Sequence, residues 1–179
     1  MSHINRREVL MRLSAILGVA FTEPLMAGVM GNKTYFGPVV EASAEQEALI
    51  AEVADVIIPT TSTPGAKAAG AHHFIIRVMR DCYVKEDQEK FYAGLDRLAR
   101  NAKSKFGKEF AALDESQKKQ IVQDALSNDK PFFDTMKSLT VTGYFTSEIG
   151  ATQALDYLPI PGRFEGSYPL KPEQKTWAL

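Results

Sequence analysis

Ser43-Ala44-Glu45-Gln46-Glu47-Ala48-Leu49-Ile50-Ala51-Glu52-Val53-Ala54-Asp55-Val56-Ile57-Ile58-Pro59 is the stretch from which the fold is read. Ser43 and Gln46 stand three positions apart. The Ser43 hydroxyl can therefore accept from the Gln46 amide while the Gln46 side chain reaches back, a capping box that starts a helix. Leu49, Val53, Val56 and Ile57 follow at helical spacing and give one apolar face. Pro59 ends the helix, because the residue before a proline is pushed out of the α region. A helix with a single apolar stripe has to bury that stripe against other elements.

The elements that follow have the same texture. After the turn-rich loop Pro59-Thr60-Thr61-Ser62-Thr63-Pro64-Gly65, a second helix is expected from about Ala66 to Arg80. Ala71, Phe74, Ile75, Val78 and Met79 form its stripe. A third is expected from about Asp87 to Phe106, with Phe91, Leu95, Leu98 and Ala102 inward and Gly107 as a left-handed stop. Asp114-Glu115-Ser116-Gln117 repeats the capping signal, and Ile121, Val122, Ala125 and Leu126 complete a fourth stripe. Pro131 suits the first turn of a fifth helix that buries Phe132, Met136 and Leu139 and reaches about Phe145. No alternating run of strand length stands out. The expected fold is all-α: a small domain of about five helices.

Length and composition agree with one such domain plus tails. The chain has 179 residues, of which 45% are hydrophobic and 24% charged, ordinary values for a globular protein. Its formal net charge of -1 offers no basic excess for nucleic acid. One cysteine and three histidines leave a thin catalytic inventory. His72 and His73 point about 100° apart on a helix, which disfavours a shared ion. Cys82 lacks a base on its own helical face and reads as a buried free thiol. Glu45, Glu47 and Glu52, like Glu86, Asp87 and Glu89, read as solvated carboxylates near helix starts. No phosphate loop, no nucleophile elbow and no covalent haem motif occurs in the sequence. The sequence thus points to no catalytic, cofactor-binding or metal residue in this chain.

The two ends depart from the body. Asn5-Arg6-Arg7 is followed by Val9-Leu10, then by an apolar run from Leu13 to Phe21 broken only by Ser14 and Gly18. A basic region before a short apolar region is export-signal anatomy. The arginine pair in that setting matches a twin-arginine signal, with Val9 where phenylalanine is usual. Residues 1–30 are therefore expected to direct export by the twin-arginine translocase, Arg6 and Arg7 being the recognised pair. Glu23-Pro24 interrupts the run before the roughly 20 apolar residues a membrane span needs. Leu25-Met26-Ala27 is a poor cleavage site, so removal of the signal and its retention as a tether both stay open. Residues 31–42 read as a linker, leaving 43–179 as the domain.

From Gly143 onward the chain turns rich in Pro, Gly and aromatics. Tyr144, Tyr157, Phe164, Tyr168 and Trp177 are side chains that a free, solvated tail does not favour, and aromatics and arginine are enriched at interfaces. Residues 143–179 are expected to lie on something, either the chain's own helices or a partner chain.

Two strings carry a resemblance. Ile58-Pro59-Thr60-Thr61-Ser62-Thr63-Pro64-Gly65-Ala66 closes one helix and leads to the next. Gly143-Tyr144-Phe145-Thr146-Ser147-Glu148-Ile149-Gly150 is followed by Tyr157 and by Pro161-Gly162-Arg163-Phe164. Together with the twin-arginine start, they resemble the gluconate 2-dehydrogenase subunit 3 family over roughly residues 43–168. The resemblance implies a non-catalytic small subunit of a periplasmic or membrane-associated dehydrogenase for sugars, sugar acids or alcohols. FAD would reside in a catalytic partner of the glucose–methanol–choline group, and a cytochrome c subunit often takes the electrons. The small subunit would support maturation of that partner and its folded export to the periplasm. Tyr144, Phe145, Thr146, Ser147, Glu148, Tyr157 and Arg163 match the family's C-terminal strings and are expected to face the partner. An exported helical scaffold of the envelope, without redox work, is the alternative.

Overall fold

Residues 40–158, with 160, 162, 166, 167, 169 and 172–178, are described by a computed structural model. Arg6, Arg7, the whole 1–30 segment and Arg163 lie outside the described residues. Among the described residues five α-helices follow one another: α1 (Ala44–Ile57), α2 (Ala71–Cys82), α3 (Lys85–Phe106), α4 (Glu115–Asn128) and α5 (Lys130–Phe145). A 3-10 turn, Phe110–Ala112, joins α3 to α4. After α5 come a π-helical turn, Gly150–Ala154, and two short strands, β1 (Asp156–Tyr157) and β2 (Trp177–Ala178), paired in parallel. The expected all-α class is the observed one.

The capping signals work as the sequence implies. Gln46 N–H donates to Ser43 Oγ at 3.2 Å and the Gln46 side chain accepts from Ser43 N–H at 3.1 Å. Asp114 and Gln117 repeat the reciprocal pair at the start of α4. Each box satisfies two donors that a helix start would otherwise leave without partners. Gly107 ends α3 at φ 67, its N–H reaching Lys103 O at 2.9 Å.

α1 is the centre of the bundle and touches each of the other four α-helices. Its buried residues are Ile50, Ala51, Val53 and Ala54, while Leu49, Val56 and Ile57 of the expected stripe are partly buried. A helix with neighbours on several sides buries more than one stripe. α2 runs along α5 and contributes Ala71, Ile75 and Met79 to the core. Phe91, Leu95, Leu98 and Ala102 of α3, Ile121 of α4, and Phe132, Met136 and Leu139 of α5 complete it.

Two expectations about the helices fail, and one polar side chain is buried. α2 starts at Ala71 rather than Ala66, because Gly70 takes the left-handed conformation at φ 70 and residues 66–70 form turns. Leu126, in the last turn of α4, is exposed rather than inward. Gln88, on no apolar stripe, is 3% exposed. Its amide fastens the α2–α3 corner, donating to Tyr83 O at 2.8 Å and Arg80 O at 3.3 Å and accepting from Val40 N–H at 2.9 Å. No helix among the described residues is long and apolar enough to cross a membrane.

Candidate functional site

The loop after α1 and the turn after α5 form one lock. The loop is braced internally: Gly65 N–H donates to Thr60 Oγ1 at 2.9 Å, Thr61 N–H to Thr63 O at 3.0 Å, and Ala66 N–H to Ile58 O at 2.8 Å. Gly65 is buried. A Cβ there would stand 2.6 Å from Thr60 N and 2.7 Å from Ile58 O, distances that real Cβ atoms do not reach. Tyr144 then ties the loop to α5. Its ring is 2% exposed, and its hydroxyl donates to Pro64 O at 2.9 Å and lies 3.3 Å from Thr63 Oγ1.

The turn beyond α5 is braced in the same manner. Ser147 Oγ donates to Tyr144 O at 2.6 Å and accepts from Gly150 N–H at 3.0 Å, the work of an N-cap side chain. Leu155 N–H reaches Gly150 O at 3.0 Å, closing the wide π turn. Gly150 lies so close to α5 that a Cβ would stand 1.9 Å from Tyr144 O. Thr146 Oγ1 bonds back to Thr142 O at 2.7 Å.

The expected partner-facing residues divide accordingly. Tyr144 is inside the fold, so its direct exposure to a partner is corrected: burial of the ring and use of the hydroxyl by Pro64 make it a packing residue. Periodicity holds the signal for this, since Phe132, Met136, Thr140 and Tyr144 recur every four residues and all are buried. Ser147 is half-buried and its hydroxyl is engaged. Phe145, Thr146, Glu148 and Tyr157 are exposed. Beyond them the chain presents Ile160 at 80% exposure and Trp177 at 48%, with Tyr157 at 55%. β1 and β2 bring Tyr157 and Trp177 onto adjacent strands, with Asp156 N–H donating to Thr176 O at 2.9 Å. Lys175 Nζ reinforces the pair through Gln153 O at 2.6 Å.

The residues set aside on chemical grounds also look different in place. Cys82, expected to be buried, is exposed at the end of α2. Glu52 is not freely solvated: its carboxylate takes Lys67 at 2.5 Å and Lys118 at 2.6 Å. Burial pushes its pKa up, but the two lysines together outweigh that and hold the carboxylate below its ordinary value. His72 and His73, expected to diverge, have ring centroids 4.0 Å apart. His73 Nδ1 lies 3.4 Å from Glu47 Oε1 on α1. Burial, then the neighbouring His73, lower the pKa of His72, with Glu47 opposing.

A family model for gluconate 2-dehydrogenase subunit 3 matches residues 44–162, which contain all five helices, the loop and the braced turn. The chain belongs to the gluconate 2-dehydrogenase subunit 3 family. Neither the curated proteins nor the solved structures gave a match. For a gluconate 2-dehydrogenase subunit 3 protein, the family indicates an accessory role beside a catalytic subunit. The 58–66 loop and the 143–150 segment, both inside the matched residues, meet at the Tyr144–Pro64 hydrogen bond.

Proposed function

We propose that this protein is the non-catalytic small subunit of an FAD-dependent dehydrogenase of sugars, sugar acids or alcohols. The catalytic partner, of the glucose–methanol–choline group, holds the FAD, and in complexes that carry a cytochrome c subunit that subunit accepts the electrons. The small subunit supports maturation of the partner and brings it, folded, through the twin-arginine translocase by way of Arg6 and Arg7. The assembled complex then works in the periplasm or tethered to the inner membrane. The family match over residues 44–162 carries this reading. The exposed Phe145, Tyr157, Ile160 and Trp177 support it, since exposed aromatic and aliphatic side chains are what a stable partner covers.

Co-expression with the neighbouring genes tests the proposal. A tagged chain is expected to purify with a yellow flavoprotein, and a preparation that carries no flavin overturns the reading. Arg6→Lys with Arg7→Lys is expected to leave both proteins in the cytoplasm while the complex still forms. Export of that double variant at the wild-type level removes the twin-arginine part of the proposal.

A further inference from the structure

Glu47 on α1 and His72 and His73 at the start of α2 bring three metal-ligating groups together from two elements. One carboxylate oxygen and one ring nitrogen from each histidine all lie within 4.8 Å of one another. We propose that these three side chains bind a divalent transition-metal ion of the zinc class. Two imidazoles and one carboxylate are a recognised donor set for such an ion, and water fills the remaining position. Tetrahedral coordination sets donors roughly 3.4 Å apart, given metal–ligand bonds near 2.1 Å. Two donors are already at that spacing, His73 Nδ1 and Glu47 Oε1 at 3.4 Å.

Two further observations favour an ion over a plain surface ion pair. His72 Nδ1 is buried and has no hydrogen-bond partner in the protein. Buried ring nitrogens are normally engaged, and coordination or a coordinated water supplies a partner. Glu47 and His73 have side chains 46% and 70% exposed, so an ion can reach them from solvent. The positive end of α2 opposes a cation. The nearby Lys67 is held on Glu52, which offsets part of its charge. A weaker site than one without these opposing charges is the expected consequence. A bound ion would cross-link the first turn of α1 to the first turn of α2, independently of any dehydrogenase partner.

The test uses the full chain without a histidine tag, in a His3→Ala background that removes the only other histidine. Co²⁺ serves as the spectroscopic probe and Zn²⁺ as competitor. The expected result is one Co²⁺ per chain with the visible bands of low-coordinate cobalt, displaced by Zn²⁺, and a higher melting temperature with Zn²⁺. His73→Ala and Glu47→Gln alter exposed side chains, and circular dichroism checks that they fold. Each is expected to weaken Co²⁺ binding by about tenfold or more, since even outer-shell changes reach that scale. Folded variants that bind Co²⁺ as the parent does overturn the site. So does a parent that shows no visible cobalt bands and no zinc-dependent melting shift at millimolar metal.

Discussion

The loop-and-turn lock around Tyr144 and the strand pair around Tyr157 and Trp177 are built from similar residues and end up in opposite environments. In the lock, an aromatic ring is buried, its hydroxyl is satisfied, and two glycines let backbones approach closely. In the strand pair, rings stay about half exposed on two-residue strands, far too short to stand alone without packing. The difference separates two kinds of demand on a sequence. Within the strings that carry the resemblance, Gly65, Tyr144, Ser147 and Gly150 brace the fold, whereas Phe145 and Tyr157 leave their rings exposed. A family signature is therefore poor evidence for a contact surface until burial is known.

That separation has measurable consequences. The largest is expected at Gly150→Ala. Its Cβ would meet the backbone carbonyl of Tyr144 at 1.9 Å, and a backbone atom cannot swing aside as a side chain can. A loss of about 3 kcal/mol or more in urea unfolding is expected, at the upper end of overpacking costs. Partner capture should fall only as far as the folded fraction falls.

Tyr144→Phe keeps the ring and removes the hydroxyl, leaving Pro64 O without that donor. A cost of about 1–2 kcal/mol is expected in the same assay, with partner capture unchanged. Lost capture at unchanged stability would break the distinction between lock and surface. Tyr157→Ala combined with Trp177→Ala should do the reverse: stability moves by about 0.5 kcal/mol or less, while affinity for the flavoprotein falls by about tenfold or more. Intact affinity would place the contact elsewhere.

The smallest effect concerns acid. The folded-state pKa of Glu52 is depressed below its ordinary 4.5. Its stabilising contribution is thus present above the unfolded value and lost as pH falls through the folded value. Glu52→Gln should lower stability at neutral pH and flatten the pH dependence below about 4.5, as followed by thermal melts.

How much the sequence disclosed depends on whether the deciding interaction is local. The Ser43–Gln46 and Asp114–Gln117 boxes and the Gly107 stop are local, and each falls where the residues say. The start of α2 depends on competition. Ala66, Lys67, Ala68 and Ala69 are good helix formers, yet Gly70 at φ 70 interrupts them. Propensity is a weak prior that such a constraint overrides. Gln88 and Glu52 could not be placed, because their partners come from other elements: Val40 N–H for one, Lys67 and Lys118 for the other. Among the site residues, Phe145 and Tyr157 are exposed, whereas Tyr144 is buried. Its aromatic ring and its place in the family string suggested an interface, although the four-residue repeat from Phe132 points inward. The nearness of Glu47 to His72 and His73 was hidden for a different reason: it depends on how α1 meets α2, which no spacing within one helix reveals.

The Tyr144–Pro64 hydrogen bond joins positions 80 apart in the chain, and this separation constrains biosynthesis. During translation α1 is complete long before α5 emerges, so the part of its apolar surface that α5 covers waits uncovered. Truncations ending before Lys130 should stay loosely packed and prone to aggregate, because exposed hydrophobic surface drives that fate. Only when the last α-helix leaves the ribosome can the 59–65 loop be fastened. A quality-control step able to sense that fastening would recognise a finished subunit from a single event near its carboxyl end.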